Sequence, residues 1–274
     1  MTGKLEGQVA IIVGAGQSPG ESVGNGRASA LTYAREGARV LCVDRNGESA
    51  EDTAKLITDE GGQARSFEAD ATSEAALQEM VATCTEEFGR IDILHNNVGI
   101  SLTGNDASVT EITEEAFDLC MAVNLKSMVL ACKHVLPVMR EQESGVITNI
   151  SSAAAKTAYP LIAYKTSKAA VVALTENVAV ANAAYGIRSN TILPGLVDTP
   201  MGVDSRVREM GMSRDEVVAM RRAKVPLKGH VGTAWDVANA ALFLASKDAG
   251  YITGVSLLVD GGRSLGEARE KGKP

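Results

Sequence analysis

The 274-residue chain predicts an α/β fold, a doubly wound parallel sheet of about seven strands with helices on both faces. Three observations carry this. Short β-branched runs, apolar throughout, alternate with longer amphipathic runs, the pattern of strands buried on both faces and joined by crossover helices. A glycine-rich segment lies between the first strand-like run and the first helical one. No internal repeat, low-complexity tract or linker divides the chain, so residues 1–274 are expected to form one domain.

Taken in order, "VAIIVG" (9–14) is the first strand, and "GRASALTYAREG" (26–37) is a helix stopped by Gly37. "RVLCVD" (39–44) is the second strand and 47–62 its helix, then "ARSFEAD" (64–70) the third strand. The helix over 73–89 has Ser73 as N-cap. "IDILHNN" (91–97) follows as the fourth strand. A long helical stretch, 113–142, contains Pro137, which predicts a kink or break there. "GVITNISS" (145–152), a helix over 163–186, "IRSNTILPG" (187–195) and "VSLLVDGG" (255–262) complete the pattern.

Composition excludes several classes. Hydrophobic residues are 45% and charged ones 22%, enough apolar material for a sizeable core. The formal charge, 27 − 34 = −7, with no basic run before the terminal "REKGKP", argues against nucleic acid or an anionic membrane as partner. An anionic small molecule in a local pocket stays open. Cys42, Cys84, Cys120 and Cys132 are widely spaced in apolar contexts and read as buried free thiols. His95, His134 and His230 have no ligand spacing, so no metal site is expected. With no signal-peptide h-region and no apolar stretch near 18 residues, a cytoplasmic protein is expected.

The segment "GAGQSPGESVGNGRA" (14–28) places Gly14, Gly16, Gly24, Asn25 and Gly26 where backbone must approach a pyrophosphate at a helix N-terminus. This is the dinucleotide-binding turn of a Rossmann fold. Asp44, ending the second strand, would accept ribose hydroxyls of NAD and repel the 2′-phosphate of NADP. Arg45 beside it could instead bind that phosphate, but the loop has no other cation before Arg27, so NAD is preferred to NADP.

Tyr164 and Lys168, four residues apart at the start of the helix over 163–186, share one face. With the glycine loop, "EADAT" (68–72), "NNVG" (96–99), "MAVNLKS" with Asn124, "ITNISS", "YKTSK", "PGLVDTPM" (194–201) and "YITGVSLLVDGG", the chain resembles the short-chain dehydrogenase/reductase family nearly end to end. The resemblance implies an alcohol dehydrogenase or carbonyl reductase. In it Tyr164 is the acid/base, Lys168 its partner, Ser152 the donor to the substrate oxygen and Asn124 the anchor of a relay water. It also implies that Asp70 and Ala71 meet the adenine, Asn97 and Gly99 the adenosine side, and Pro194, Gly195, Val197 and Thr199 the nicotinamide. A homotetramer built on the helices 113–142 and 163–186 is likewise implied.

Three departures stand out. Val98 replaces the family's usual alanine. Ser152 is twelve residues before Tyr164, where the family has thirteen, which leaves Ser151 as the alternative. The glycine loop is about six residues longer than usual, a length resembling the divergent enoyl-reductase branch, although "YKTSK" keeps the shorter spacing of the alcohol/carbonyl branch.

A free tyrosine titrates near pH ~10. The lysine cation is expected to lower Tyr164 toward ~7, which takes roughly 4 kcal/mol. The segment between Thr199 and Trp235 stands where the family has its substrate lid. Its Met201, Met210, Met212 and Met220 offer an adaptable apolar wall. Its Arg206, Arg208, Arg214, Arg221, Arg222 and Lys224 read chiefly as a solvated face, with attraction of an acidic substrate as the sharper reading. Ile100 to Thr103, Ala153, Ala154, Tyr159 and Leu196 are further pocket candidates, with room for a bulky or cyclic secondary alcohol or ketone. Two other functions compete: an NADPH-dependent 3-oxoacyl or enoyl reductase, and a non-catalytic nucleotide-binding sensor.

Overall fold

The computed structural model describes residues 3–227 and 231–266, with only the main chain of Thr103. His230 and the "REKGKP" tail therefore lie outside the described residues. Among these, seven strands form one parallel sheet: β1 (Val9–Val13), β2 (Arg39–Asp44), β3 (Gln63–Glu68), β4 (Ile93–Asn96), β5 (Gly145–Ile150), β6 (Ile187–Pro194) and β7 (Ser256–Val259). Their order is β3-β2-β1-β4-β5-β6-β7. The order reverses between β1 and β4, which opens a crevice at the carboxyl ends of the strands. Val13 sits level with Val43 and with Asn96, so the three strands flanking that crevice end together.

The connections are helical: α1 (Asn25–Arg35), α2 (Gly47–Asp59), α3 (Glu74–Phe88), α4 (Glu114–Met121), α5 (Ser127–Glu141), α6 (Ile162–Asn182), α7 (Ser205–Met210), α8 (Arg214–Arg222) and α9 (Ala234–Ala245). β1 explains why its strand is apolar without alternation. Ala10 and Ile12 pack with Leu31, Tyr33, Val237 and Leu244 beneath α1 and α9, while Val9, Ile11 and Val13 pack with Leu77, Met80, Val135 and Val178 beneath α3, α5 and α6. Helix α1 closes with Gly37 at φ +90, a conformation costly for any side chain. Ser73 caps α3, accepting from the Ala76 amide.

Two expectations are corrected. Pro137 does not break its helix; it lies inside α5 on the exposed side, where a missing N–H is tolerated. The irregularity comes earlier, as a π turn over Ala122–Lys126 between α4 and α5. The run Glu114–Glu141 also reaches membrane-spanning length and hydropathy, contrary to the sequence reading, but 44% of that window is buried against the rest of the protein. Helix α9 was not foreseen at all, and α7 and α8 were anticipated only as the lid segment that holds them. The signal for α9 was present as a capping box, in which Thr233 and Asp236 cap one another's backbone.

All four cysteines are buried and free, with the thiols of Cys42, Cys84 and Cys132 pushed up to about 12 and Cys120 to about 11 by burial. His95 is buried between sheet and helix, edge-on to Tyr33, and burial holds its pKa down at about 4. Among the described residues no group of histidine, cysteine and carboxylate side chains could hold a metal ion.

Candidate active site

The dinucleotide end is built from backbone. Gly14 has φ +87, and a Cβ on Gly26 would lie 1.8 Å from the Gly14 carbonyl oxygen, so α1 is packed as close to the turn as glycine permits. Gly24 ends the loop without a side-chain cap, and the first turn of α1 holds no acid, so its amides and dipole stay uncompensated. Ser22 Oγ and Asn25 Oδ1 are buried there without partners. These features fit a pyrophosphate.

The side chains around the loop have structural work of their own. Asp44 Oδ2 accepts from Gly16 N at 3.0 Å and its Oδ1 from Asn46 N at 3.1 Å, so this carboxylate ties β2 to the loop. Arg45 is exposed and helps hold Asp70 below the usual carboxylate range, after the backbone and hydroxyl bonds from Thr72. Ala71, next to Asp70, is buried. Asn97 Nδ2 donates to the Gly14 carbonyl at 2.9 Å, bracing the loop against β4. Gln17, which sequence reasoning passed over, folds the extra residues: its amide donates to Ser18 and Ser22 carbonyls, and its Oε1 accepts from Gly24 N at 2.9 Å.

At the ends of β4 and β5 the polar residues meet. A Cβ on Gly99 would lie 3.0 Å from Lys168 Nζ and 3.4 Å from Asn124 Oδ1, so the bare glycine is what lets lysine and asparagine approach. Lys168 is almost fully buried and donates from Nζ to the Ile150 carbonyl at 2.9 Å. Asn124 sits in the π turn, a device common at functional sites. Its side chain pairs with both the N–H and C=O of Ile100 and with Ser167 Oγ. Of the two serines, Ser151 donates to the Lys168 carbonyl at 2.6 Å and is buried. Ser152 Oγ accepts from Ala154 N at 3.1 Å, and it is the serine whose hydroxyl acts on the Tyr164 phenol.

Asp106 is a second residue that the sequence did not single out. Its carboxylate accepts from Ala163 N at 3.0 Å and Tyr164 N at 2.7 Å, and the adjacent Ala107 carbonyl accepts from Ile162 N. Helix α6 has no local side-chain cap. The loop after β4 supplies it instead and thereby fixes where Tyr164 starts.

The expected lowering of the Tyr164 pKa is corrected. Burial raises it, against the opposing effects of the Ser152 hydrogen bond and the charges of Arg206 and Arg221. Lys168 Nζ stands 5.8 Å from the ring centroid, turned toward a carbonyl, and burial lowers its own pKa to about 8. The protein alone therefore holds Tyr164 as the phenol.

Opposite this cluster, Gly195 approaches Asp260 so closely that a Cβ would lie 2.5 Å from the aspartate Cβ, locking the end of β6, with Pro194, to the end of β7. Val197 is buried, and its carbonyl accepts from Arg221 Nη2 at 3.2 Å. Thr199 Oγ1 accepts from Gly202 N at 3.1 Å, capping a π turn over Pro200–Asp204 that leads into α7. The lengthened glycine loop leans on this lid: a Cβ on Gly20 would lie 3.0 Å from Pro200 Cβ, and Arg214 reaches Asp198 at 2.6 Å and Glu21 and Asp204 at 3.6 Å.

A doubly wound sheet, a dinucleotide turn and a Ser-Tyr-Lys-Asn cluster at its crevice define a nicotinamide-dependent oxidoreductase. Residues 20–264 match the family model described as enoyl-(acyl carrier protein) reductase. The chain is 42% identical over 261 residues to 2-(R)-hydroxypropyl-CoM dehydrogenase of Xanthobacter autotrophicus, covering 93% of this chain and 97% of that one. It is 34% identical over 262 residues to the 3-oxoacyl-[acyl-carrier-protein] reductase FabG of Thermotoga maritima, covering 94% and 98%. The solved structure of levodione reductase superposes with a TM-score of 0.87 at 32% identity, covering 95% and 99%. The chain belongs to the short-chain dehydrogenase/reductase family, whose members use NAD or NADP.

Proposed function

We propose that the chain is an NAD-dependent dehydrogenase that moves a hydride between the nicotinamide cofactor and a secondary alcohol or ketone. The observation that carries this reading is the meeting of Lys168 and Asn124 at Gly99, with the Tyr164 ring centroid 5.8 Å from Lys168 Nζ and the Ser152 hydroxyl acting on its phenol, at the crevice that holds the glycine turn. The cofactor, when bound, supplies the hydride donor or acceptor. The Ser152 hydroxyl orients the substrate oxygen, and Tyr164, held protonated by burial, gives its proton to a ketone oxygen in reduction and takes it back in oxidation. Lys168 is the cation beside that exchange, and Asn124 holds the surrounding loop in register through Ile100.

NAD is favoured over NADP because Asp44 stands at the end of β2, and Arg27, the loop's own cation, is turned away onto Thr53 Oγ1 and the Ser49 carbonyl. The dehydrogenase relative from Xanthobacter supports a secondary alcohol substrate. The exposed Arg45 and the relative from Thermotoga favour a second reading, an NADPH-dependent 3-oxoacyl reductase. The protein is further taken to work as one domain, in the cytoplasm, as a homotetramer. Exposed apolar side chains on α5 and α6, among them Val129 and Val180, suit such contacts.

Absorbance assays with NAD and NADP across a panel of secondary alcohols and ketones test the reading. Turnover with NAD at least tenfold faster than with NADP is expected, and preference for NADP overturns it. Tyr164→Phe is expected to bind NAD and lose nearly all turnover; retention of more than about a tenth of the wild-type rate removes Tyr164 from its role.

A further inference from the structure

The lid carries six basic side chains between Arg206 and Lys224, and the structure sorts them. Arg208, Arg222 and Lys224 are exposed, a solvated face as composition suggests. Arg214 is neutralised, since it collects Asp198, Asp204 and Glu21. Arg206 and Arg221 remain, and among the described residues neither has a carboxylate within ion-pair distance.

Arg221 is only 8% exposed, yet among the described residues its guanidinium makes a single hydrogen bond, from Nη2 to the Val197 carbonyl at 3.2 Å. Arg206 is half-buried and donates from Nη1 to the Gly202 carbonyl at 2.8 Å and the Met201 carbonyl at 3.5 Å. A guanidinium has five donors, and no Arg221 nitrogen is among the buried unpartnered atoms of the described residues, so the donors beyond the Val197 bond stay open to an incoming group. Burial first, and then the opposing charge of Arg206, bring Arg221 down to about 10, against a weaker pull from Asp198. The charges of both act on the Tyr164 phenol, and Arg221 also lies within electrostatic reach of Tyr159, whose ring centroid is 5.5 Å from that of Tyr164. Asp198 and Asp204 make their ion pairs with Arg214, and Asp198 reaches Arg221 only as a more distant charge.

We propose that Arg206 and Arg221 form an anion subsite, so that the substrate is a secondary alcohol or ketone bearing a carboxylate, sulfonate or phosphate group. This rests on the oxidoreductase reading above. The planar fork of arginine matches these oxyanions, and an incoming anion supplies the close carboxylate-type partner that neither residue has among the described residues. The substrate's neutral end then faces Ser152 and Tyr164, and its tether length is set by the span from the arginines to the phenol.

The test uses the NAD-dependent protein with keto acids of increasing length (acetoacetate, levulinate and the next homologue), their methyl esters, pentan-2-one, and the sulfonate and phosphate counterparts of the best keto acid. The best anionic ketone is expected to exceed its uncharged counterpart at least a hundredfold in kcat/KM. Arg206→Gln and Arg221→Lys should each reduce that ratio tenfold or more, chiefly through KM, while Arg208→Ala, exposed on the same lid helix as Arg206, leaves it unchanged. Because Arg221 is buried, Arg206→Gln keeps the test decisive if the Arg221 variant folds poorly. Equal turnover of charged and uncharged ketones overturns the anion subsite and leaves the oxidoreductase reading intact. An anion preference that persists in both variants overturns the assignment to these residues. Calorimetric titration of the NAD-loaded protein with the keto acids separates the remaining case. Arginine-dependent binding with no turnover of any ketone supports the subsite and sinks the oxidoreductase reading, and no binding with no turnover sinks both.

Discussion

Asp106 offers the sharpest separation of positioning from chemistry. Its carboxylate is buried and receives the amides of Ala163 and Tyr164 at 3.0 and 2.7 Å, at a helix start with no other side-chain cap. Asp106→Ala leaves one buried and one part-buried amide without acceptors, each costing roughly 1–3 kcal/mol, so the loss is about 3 kcal/mol. Asp106→Asn keeps one acceptor and should cost about half as much. In a chain of this size 3 kcal/mol lowers Tm by roughly 6–12 °C. Because Tyr164 N is itself one of the bonded groups, slippage of the first turn moves the phenol, and a displacement near 1 Å costs about a hundredfold in rate. The alanine variant is therefore expected to lose about a hundredfold in kcat while its NAD affinity stays put, since Asp106 shares no hydrogen bond with the glycine loop. Urea titration, calorimetry of NAD binding and steady-state kinetics on both variants provide the check. An alanine variant within 0.5 kcal/mol of wild type, with kcat unchanged, would refute the capping argument.

Three further outcomes are expected. His95 is neutral in the fold, with its pKa depressed from 6.5 to about 4, so its contribution is present above pH 6.5 and lost as pH falls through 4. At roughly 1.4 kcal/mol per pH unit, about 2–3 kcal/mol should vanish between pH 7 and 4.5, and His95→Gln should flatten that part of the urea-stability curve. Gly99→Ala puts a methyl group 3.0 Å from Lys168 Nζ, against the end of a long side chain held by one bond to the Ile150 carbonyl. Turnover should fall at least tenfold with Tm nearly unchanged, and full activity would show that Lys168 need not stand where it does. Val180 is 76% exposed on α6, and Val180→Glu should shift sedimentation toward smaller species if that face joins subunits; an unchanged profile removes α6 from the interface.

What the sequence made legible was whatever a local pattern can encode. Continuous apolar runs marked the strands because both faces of the sheet are covered, and the strand–glycine–helix order marked the dinucleotide turn. Asp106 was invisible because the amides it caps lie 57 and 58 residues away. The π turn at Asn124 was hidden because its composition is ordinary helix, whereas Pro137 announced a break that an exposed helix face absorbs. The difference between Arg208 and Arg221 was equally out of reach: both are basic residues in one amphipathic segment, and only packing decides which is solvated. The Tyr164 titration went the other way for the same reason, because desolvation is a property of the assembled site and not of a tyrosine and lysine one turn apart.

The contact of Gly20 with Pro200, and of Glu21 with Arg214, makes one mechanical piece of two segments with different duties. On the proposed function, a coenzyme seated on the glycine loop would also tension the segment from Thr199 onward, so the coenzyme is expected to enter first and leave last. Product-inhibition patterns would then be competitive only between the two nucleotide forms. Engineering that lengthens, trims or recharges residues 17–23 to change coenzyme choice will alter the substrate range as well.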